Sequence, residues 1–214
     1  MTKQIIILGS TGSIGRSALN VIRKNDKKFN IKLLSTNSNI NKIYNQALEF
    51  KVKNVLIINE QKFDNFKKKF KKKKIKVFFN IDDALKNISK KVFCSINGIS
   101  GIAGLEPTLK IIKYSKNIAL ANKESIICGW KFINKELKKN NTNFIPLDSE
   151  HFSIWSMLKS ENIKNVKKIY LTASGGPFLK KNLSQLHYIK PKYALMHPNW
   201  KMGKKISIDS ATMM

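Results

Sequence analysis

Arginine is almost missing from this strongly basic chain. Arg16 and Arg23 are the only arginines among 41 Lys and Arg residues in a 214-residue sequence, which carries 13 Asp and Glu and a formal net charge of +28. Arginine is the side chain best suited to bidentate recognition of bases and phosphates. A surface made basic by lysine, in runs such as Lys67-Lys68-Lys69 and Lys71-Lys72-Lys73-Lys74, therefore argues against a nucleic-acid interface. The abundance of Lys, Asn and Ile reads instead as the product of AT-rich coding. The charge still favours anionic small molecules, because a cleft of one sign focuses the field. Cysteine is scarce too: Cys94 and Cys128 alone exclude a disulfide framework and a cysteine zinc site, and fit a reducing cytoplasm. No apolar run approaches the ~20 residues of a membrane span. Ile5-Ile6-Ile7-Leu8 is too short for the apolar core of a secretory signal. The expectation is a cytoplasmic protein with neither a membrane nor a nucleic-acid partner.

What the chain does have is a hydrophobic content of 42%, enough for a sizeable core, and an alternation of short apolar runs with helical patterns. Strands are predicted at Gln4–Leu8, Ile31–Ser35, Val55–Ile58, Val77–Phe79, Val92–Ile96, Ile118–Leu120 and Phe144–Ile145. Helices are predicted at Ser13–Lys24, at Ile40–Phe50 with Asn39 as N-cap, and at Asp82–Ile88, Leu105–Lys113 and Glu124–Lys139. Phe63, Phe66 and Phe70 fall on one helical face as a core stripe. This order implies an α/β fold with a doubly wound, mainly parallel Rossmann-type sheet. Val166–Thr172 reads as the first strand of a second sheet. The turn-rich stretches after it read as lid segments.

Several segments carry chemistry. Gly9, Gly12 and Gly15 form a GxxGxxG turn directly after the first strand, with Thr11 and Ser13 as hydroxyl donors. Small residues there let the backbone approach a dinucleotide pyrophosphate at a helix N-terminus; a tight turn without a ligand is the plain alternative. After the second strand, Ser35-Thr36-Asn37-Ser38-Asn39 contains no carboxylate to repel a 2′-phosphate, which favours NADPH over NADH. Asp148 and Glu150 are spaced to project from one side of an extended segment and offer hard oxygens to Mg²⁺ or Mn²⁺. A helix cap followed by first-turn acids accounts for the same spacing equally well. His151 is either a base or structural. Lys123 lies where a strand end meets a ligand crevice, although a lysine starting a helix is more often a solvated surface residue; Ser174-Gly175-Gly176 offers donors to a phosphate, with an ordinary loop as the plain alternative.

Taken in order, Leu8 to Gly15, Ala121-Asn122-Lys123-Glu124-Ser125, Leu147-Asp148-Ser149-Glu150-His151, Ser174-Gly175-Gly176-Pro177-Phe178, His197 to Gly203 and Lys205 to Met214 resemble the 1-deoxy-D-xylulose 5-phosphate reductoisomerase family. The resemblance implies a homodimeric enzyme of non-mevalonate isoprenoid synthesis. Such an enzyme isomerises 1-deoxy-D-xylulose 5-phosphate and reduces the product with NADPH to 2-C-methyl-D-erythritol 4-phosphate. It implies an NADPH-binding domain over residues 1–147. Residues 148–214 then begin an α+β catalytic, metal-binding domain that includes the lid. By resemblance, Thr11, Gly12, Ser13, Ile14, Asn39, Asn122, Glu124 and Gly203 bind the cofactor. Asp148 and Glu150 bind the metal. Lys123, Ser149, Glu150, Ser174, His197 and Ser210 contact substrate. Lys123, Ser149, Glu150, His197 and Trp200 form the catalytic set, with Trp200 in the lid over the substrate.

Two departures accompany the resemblance. The chain ends at Met214 inside a motif, where relatives continue with further phosphate and metal ligands. The expectation is an N-terminal portion with negligible turnover by itself, retaining at most NADPH binding. Another NAD(P)-dependent oxidoreductase explains the glycine turn but not the later blocks. The second departure is Ser38, where the family often carries a lysine against the 2′-phosphate. Ser38→Lys is therefore expected to tighten NADPH more than NADH in parallel binding titrations; equal effects on both cofactors would contradict this reading of position 38.

Overall fold

The computed structural model describes residues 2–63, 66–88, 90–171, 175–199, 201 and 203–212. The chain forms two compact units, Met1–Asp148 and Ser149–Met214.

The first unit alternates strand and helix throughout. Its elements are β1 (Lys3–Leu8), α1 (Ser13–Arg23), β2 (Phe29–Thr36), α2 (Ile40–Glu49), β3 (Asn54–Ile57), α3 (Lys67–Lys72), β4 (Lys76–Phe78), α4 (Ile81–Lys86), β5 (Val92–Asn97), α5 (Leu105–Ile112), β6 (Ser115–Leu120), α6 (Lys123–Asn140) and β7 (Asn143–Pro146). The strands make one seven-stranded sheet in the order β4-β3-β2-β1-β5-β6-β7, and every pairing is parallel. A parallel sheet covered on both faces needs apolar residues on both sides of each strand. The run Ile5-Ile6-Ile7-Leu8 supplies them through the pleat. Ile5 and Ile7 pack with Leu19 and Ile22 of α1, Ile43 and Ala47 of α2, and Phe70 of α3. Ile6 and Leu8 pack on the other face with Leu85 of α4, Ile111 and Ile112 of α5, and Ile133 and Leu137 of α6. Full burial of such a side chain stabilises the fold by about 1.5–3 kcal/mol, so β1 anchors both cores.

The strand order reverses between β1 and β5, since β2 lies on one side of β1 and β5 on the other. In doubly wound sheets, this reversal opens a crevice outside the strand C-termini. Leu8 pairs with Asn97 at that end, and the Gly98 N–H donates to the Leu8 carbonyl at 3.0 Å.

The phenylalanine stripe is only partly helical. A 3₁₀ turn occupies Glu60–Lys62, and the regular helix α3 begins only at Lys67. Phe63 and Phe70 nevertheless share the core, edge to face with centroids 5.5 Å apart, and Phe70 meets Tyr44 at 5.0 Å. The sequence KKKFKK has no acidic residue in its first turn. Like charges one turn apart and an unfavourable dipole keep the helix short.

The second unit contains α7 (Ser149–Leu158), α8 (Leu183–Leu186), α9 (Pro191–Ala194) and α10 (Lys204–Thr212). The strand expected from Val166 is not formed within the described residues: residues 166–171 belong to no ladder. A strand exists only where its backbone N–H and C=O groups find a partner strand. Gly175 and Gly176 adopt positive φ, 78° and 58°, and Gly176 lies under α10. A Cβ on Gly176 would come within 2.6 Å of the Ser210 carbonyl and 2.8 Å of Ala211 Cα. Among the described residues of the whole chain, no helix is long and apolar enough to cross a membrane.

Candidate active site

The glycine turn leaves β1 and enters α1 at the edge of the crevice, and its glycines have different duties. Gly9 has φ +73°, and a Cβ there would lie 3.0 Å from the Gly98 carbonyl group across the reversal point. A Cβ on Gly15 would overlap the Gly9 carbonyl oxygen and lie 2.5 Å from Ser10 Cα, so α1 rests directly on the turn. Gly12 is exposed, its φ is ordinary, and a Cβ there meets only the Gly9 carbonyl oxygen at 3.4 Å. The fold does not require a glycine at this position, where the backbone lies open to the approach of a ligand. Gly12 is also the N-cap of α1, which has no side-chain cap and no acidic residue in its first turn. The positive end of the α1 dipole, with Ser13 and Ile14 as its first residues, is left for an anion.

A hydrogen-bond network fixes this turn against the second strand and α2. Gly9 N–H donates to Ser35 Oγ at 2.9 Å, and Ser10 N–H to the Ser35 carbonyl at 2.9 Å. Ser10 Oγ donates to Gln46 Oε1 at 2.8 Å, while Gln46 Nε2 donates back to the Ser10 carbonyl at 3.0 Å. Thr11 and Thr36 share a hydroxyl hydrogen bond of 2.8 Å. Thr36 Oγ1 also accepts the Asn39 N–H at 3.3 Å, and Asn39 Oδ1 caps α2 by accepting the Lys42 N–H at 3.3 Å. Sequence reasoning found Asn39 but missed Gln46 and Thr36. The available signal was Gln46 itself, a polar residue on the buried face of α2 between Ile43 and Ala47.

Across the crevice, Asn122 caps α6. Its Oδ1 accepts the Ser125 N–H at 2.8 Å, and its Nδ2 donates to the carbonyls of Ile99 at 2.5 Å and Gly101 at 2.6 Å. The buried amide therefore ties the end of β6 to the loop after β5 and places Lys123 and Glu124 in the first turn of α6. Ser125 Oγ is buried beside this cap and has no hydrogen-bond partner among the described residues. Asp148 closes the first unit two residues beyond β7, half-buried. Cys94 lies inside the sheet. Burial pushes its thiol up to about 11, which leaves it inert as a nucleophile at neutral pH.

In the second unit, Ser149 and Glu150 are exposed in the first turn of α7. The local backbone at Glu150 is thus helical, the helix start that the spacing allowed alongside an extended segment. His151 is exposed on the same helix. His197 Nδ1 accepts the Asn199 N–H at 3.2 Å, so the neutral ring carries its proton on Nε2. Gly203 is exposed just before α10, and Ser210 lies on α10. Ser174 and Trp200 lie outside the described residues. Among the described residues, no group of three His, Cys, Asp or Glu side chains is placed to hold a metal.

Two family models match in succession: 1-deoxy-D-xylulose 5-phosphate reductoisomerase over residues 5–129, and the C-terminal domain of the same enzyme over residues 144–214. The chain belongs to the 1-deoxy-D-xylulose 5-phosphate reductoisomerase family. The reductoisomerase of Pelagibacter ubique (strain HTCC1062) is 53% identical over 214 residues, which are 99% of this chain and 55% of that protein. That of Wolbachia pipientis subsp. Culex pipiens (strain wPip) is 44% identical over 213 residues, 99% of this chain and 54% of that protein. The chain thus spans about half the length of the curated relatives it matches. Among solved structures, the Zymomonas mobilis reductoisomerase in complex with NADPH superposes with a TM-score of 0.87 at 31% identity, covering 100% of this chain and 55% of that one. A reductoisomerase in complex with NADPH, fosmidomycin and magnesium gives a TM-score of 0.86 at 33% identity, covering 99% and 55%. The Rossmann-type sheet expected from the sequence is therefore the family's fold.

The different duties of the glycines make a paired prediction. Gly15→Ala lowers stability by at least about 2 kcal/mol in urea denaturation, because the Cβ meets rigid backbone. Gly12→Ala costs less than about 1 kcal/mol yet weakens dinucleotide binding about tenfold. Equal stability losses at the two positions would contradict this division.

Proposed function

We propose that this chain contributes the NADPH site and the first metal and substrate ligands to the conversion of 1-deoxy-D-xylulose 5-phosphate to 2-C-methyl-D-erythritol 4-phosphate. The carrying observation is the glycine turn at the sheet's reversal point. It has an open Gly12, an acid-free helix start, and a hydrogen-bonded lock to Ser35, Thr36 and Gln46. These features fit a pyrophosphate, and no carboxylate follows β2 to oppose a 2′-phosphate.

In this reading Thr11, Gly12, Ser13 and Ile14 hold the pyrophosphate with backbone N–H and hydroxyl groups. Asn39, Glu124 and Gly203 assist, and Asn122 acts mainly by holding the start of α6. When bound, NADPH supplies the hydride, and a divalent ion offsets charge on the substrate's oxygens. Asp148 and Glu150 provide hard carboxylate ligands for magnesium or manganese, the former from the end of the sheet and the latter from the start of α7. Lys123 brings an ammonium to the C-terminal end of β6 to orient the substrate's oxygens. Ser149, Ser174, Ser210 and the Nε2–H of His197 bind and position the substrate, its phosphate included. That positions the reacting end from a distance. Trp200 belongs to a lid that excludes water. The family relationship supports the further reading that the protein works as a cytoplasmic homodimer.

Calorimetry and Mn²⁺ electron paramagnetic resonance on the chain test the two halves of this reading. NADPH is expected to give a saturable isotherm that Asp148→Asn leaves within twofold. The same substitution is expected to weaken Mn²⁺ binding about tenfold or more. An NADPH isotherm that never saturates would contradict the cofactor site, and Mn²⁺ binding indifferent to Asp148→Asn would contradict the metal assignment.

A further inference from the structure

A groove of about 500 Å³ runs between α1 and α2, lined by one face of each helix. From α1 come Ser13, Arg16, Ser17, Asn20 and Arg23, and from α2 come Lys42, Asn45, Gln46 and Glu49. The groove contains both arginines of a chain that otherwise uses lysine for its basic residues. Its two ends differ in charge. At the far end Arg23 Nε and Glu49 Oε1 form an ion pair of 2.5 Å, and the Arg23 guanidinium is held above its ordinary value chiefly by that hydrogen bond. At the near end, beside the glycine turn and the loop after β2, Arg16 and Lys42 join no ion pair among the described residues. Arg16 folds back toward the turn, with Nε 3.4 Å from the Gly12 carbonyl oxygen. Lys42 stands in the first turn of α2, its backbone N–H held by Asn39. Ser13 and Ser17 add hydroxyls beside Arg16.

A cation-rich pocket end with hydroxyl donors and no carboxylate suits a phosphate monoester dianion. Charge-assisted hydrogen bonds from guanidinium and ammonium are the strongest available contacts to such a group. In a doubly wound sheet, the loop after β2 is where an adenosine ribose lies, and a basic residue nearby accommodates a 2′-phosphate. We infer that Arg16 and Lys42 form the 2′-phosphate subsite of this chain and set its preference for NADPH over NADH, in place of the lysine that Ser38 lacks. Two first-turn residues on parallel neighbouring helices thereby do what one loop residue does elsewhere. This inference rests on the dinucleotide reading of the glycine turn.

The test titrates the chain with adenosine 2′,5′-bisphosphate and with adenosine 5′-monophosphate, which differ only in the 2′-phosphate. The unmodified chain is expected to bind the bisphosphate at least tenfold more tightly. Arg16→Ala and Lys42→Ala are each expected to weaken the bisphosphate about tenfold and to leave the monophosphate within twofold, which also shows that the variants are folded. Adding Ser38→Lys to the double variant is expected to restore part of the preference. Unchanged bisphosphate binding in both variants, or equal losses for both ligands, would overturn the inference while leaving the dinucleotide site intact. Failure of the unmodified chain to bind either nucleotide would overturn the dinucleotide reading and this inference with it.

Discussion

The site depends on one lock: the turn between β1 and α1 is hydrogen-bonded to the end of β2 and to Gln46 of α2. The turn carries backbone donors whose direction matters to within a fraction of an ångström, and a short glycine loop cannot hold that direction by itself. Gln46, 7% exposed, uses both ends of its amide on Ser10, accepting from the hydroxyl and donating to the carbonyl. A buried amide left unpaired would cost the full desolvation penalty. The same contact that satisfies Gln46 therefore aims the turn. Gly15 completes the arrangement from the other side by letting α1 approach without a Cβ.

The same candidate edge is assembled from distant parts of the sequence. Leu8, Ser35, Asn97 and Leu120 bring four loops to one end of the sheet because the pairings between their strands are parallel. Asn122 then repeats on the β6 side what Gln46 does on the β2 side. It is a buried amide whose bonds to Ile99, Gly101 and Ser125 hold a functional helix start in place. In both cases the residue nearest the ligand edge is held by a polar contact inside the first unit, so binding geometry and folding stability are coupled. Substitutions at Gln46 and Asn122 act on both together.

The sheet was legible because a doubly covered parallel strand must be apolar on both faces, and runs such as Ile5 to Leu8 and Ile118 to Leu120 have few other uses. The glycine turn was legible because backbone approach restricts residue type. Gln46 escaped because periodicity marks where a residue points, not what polar group waits there. The short extent of α3 escaped because a phenylalanine stripe reports burial while charge repulsion sets helix length. The expected strand at Val166 failed to form among the described residues because strand propensity has no expression without a pairing partner. At Asp148 and Glu150 the sequence supported an extended pair and a helix start equally; α7 begins at Ser149, so the two carboxylates leave the backbone from different local conformations. At Asn39 the N-cap read from the sequence is formed, and Lys123 falls in the first turn of α6 just beyond β6.

Hydrogen exchange with mass spectrometry, with and without NADPH, tests the central claim most directly. The account predicts protection in two separate stretches at once, residues 9–16 and residues 35–46, because the lock makes the turn and the start of α2 one binding edge. Protection confined to the glycine turn, with residues 35–46 exchanging as before, would contradict it.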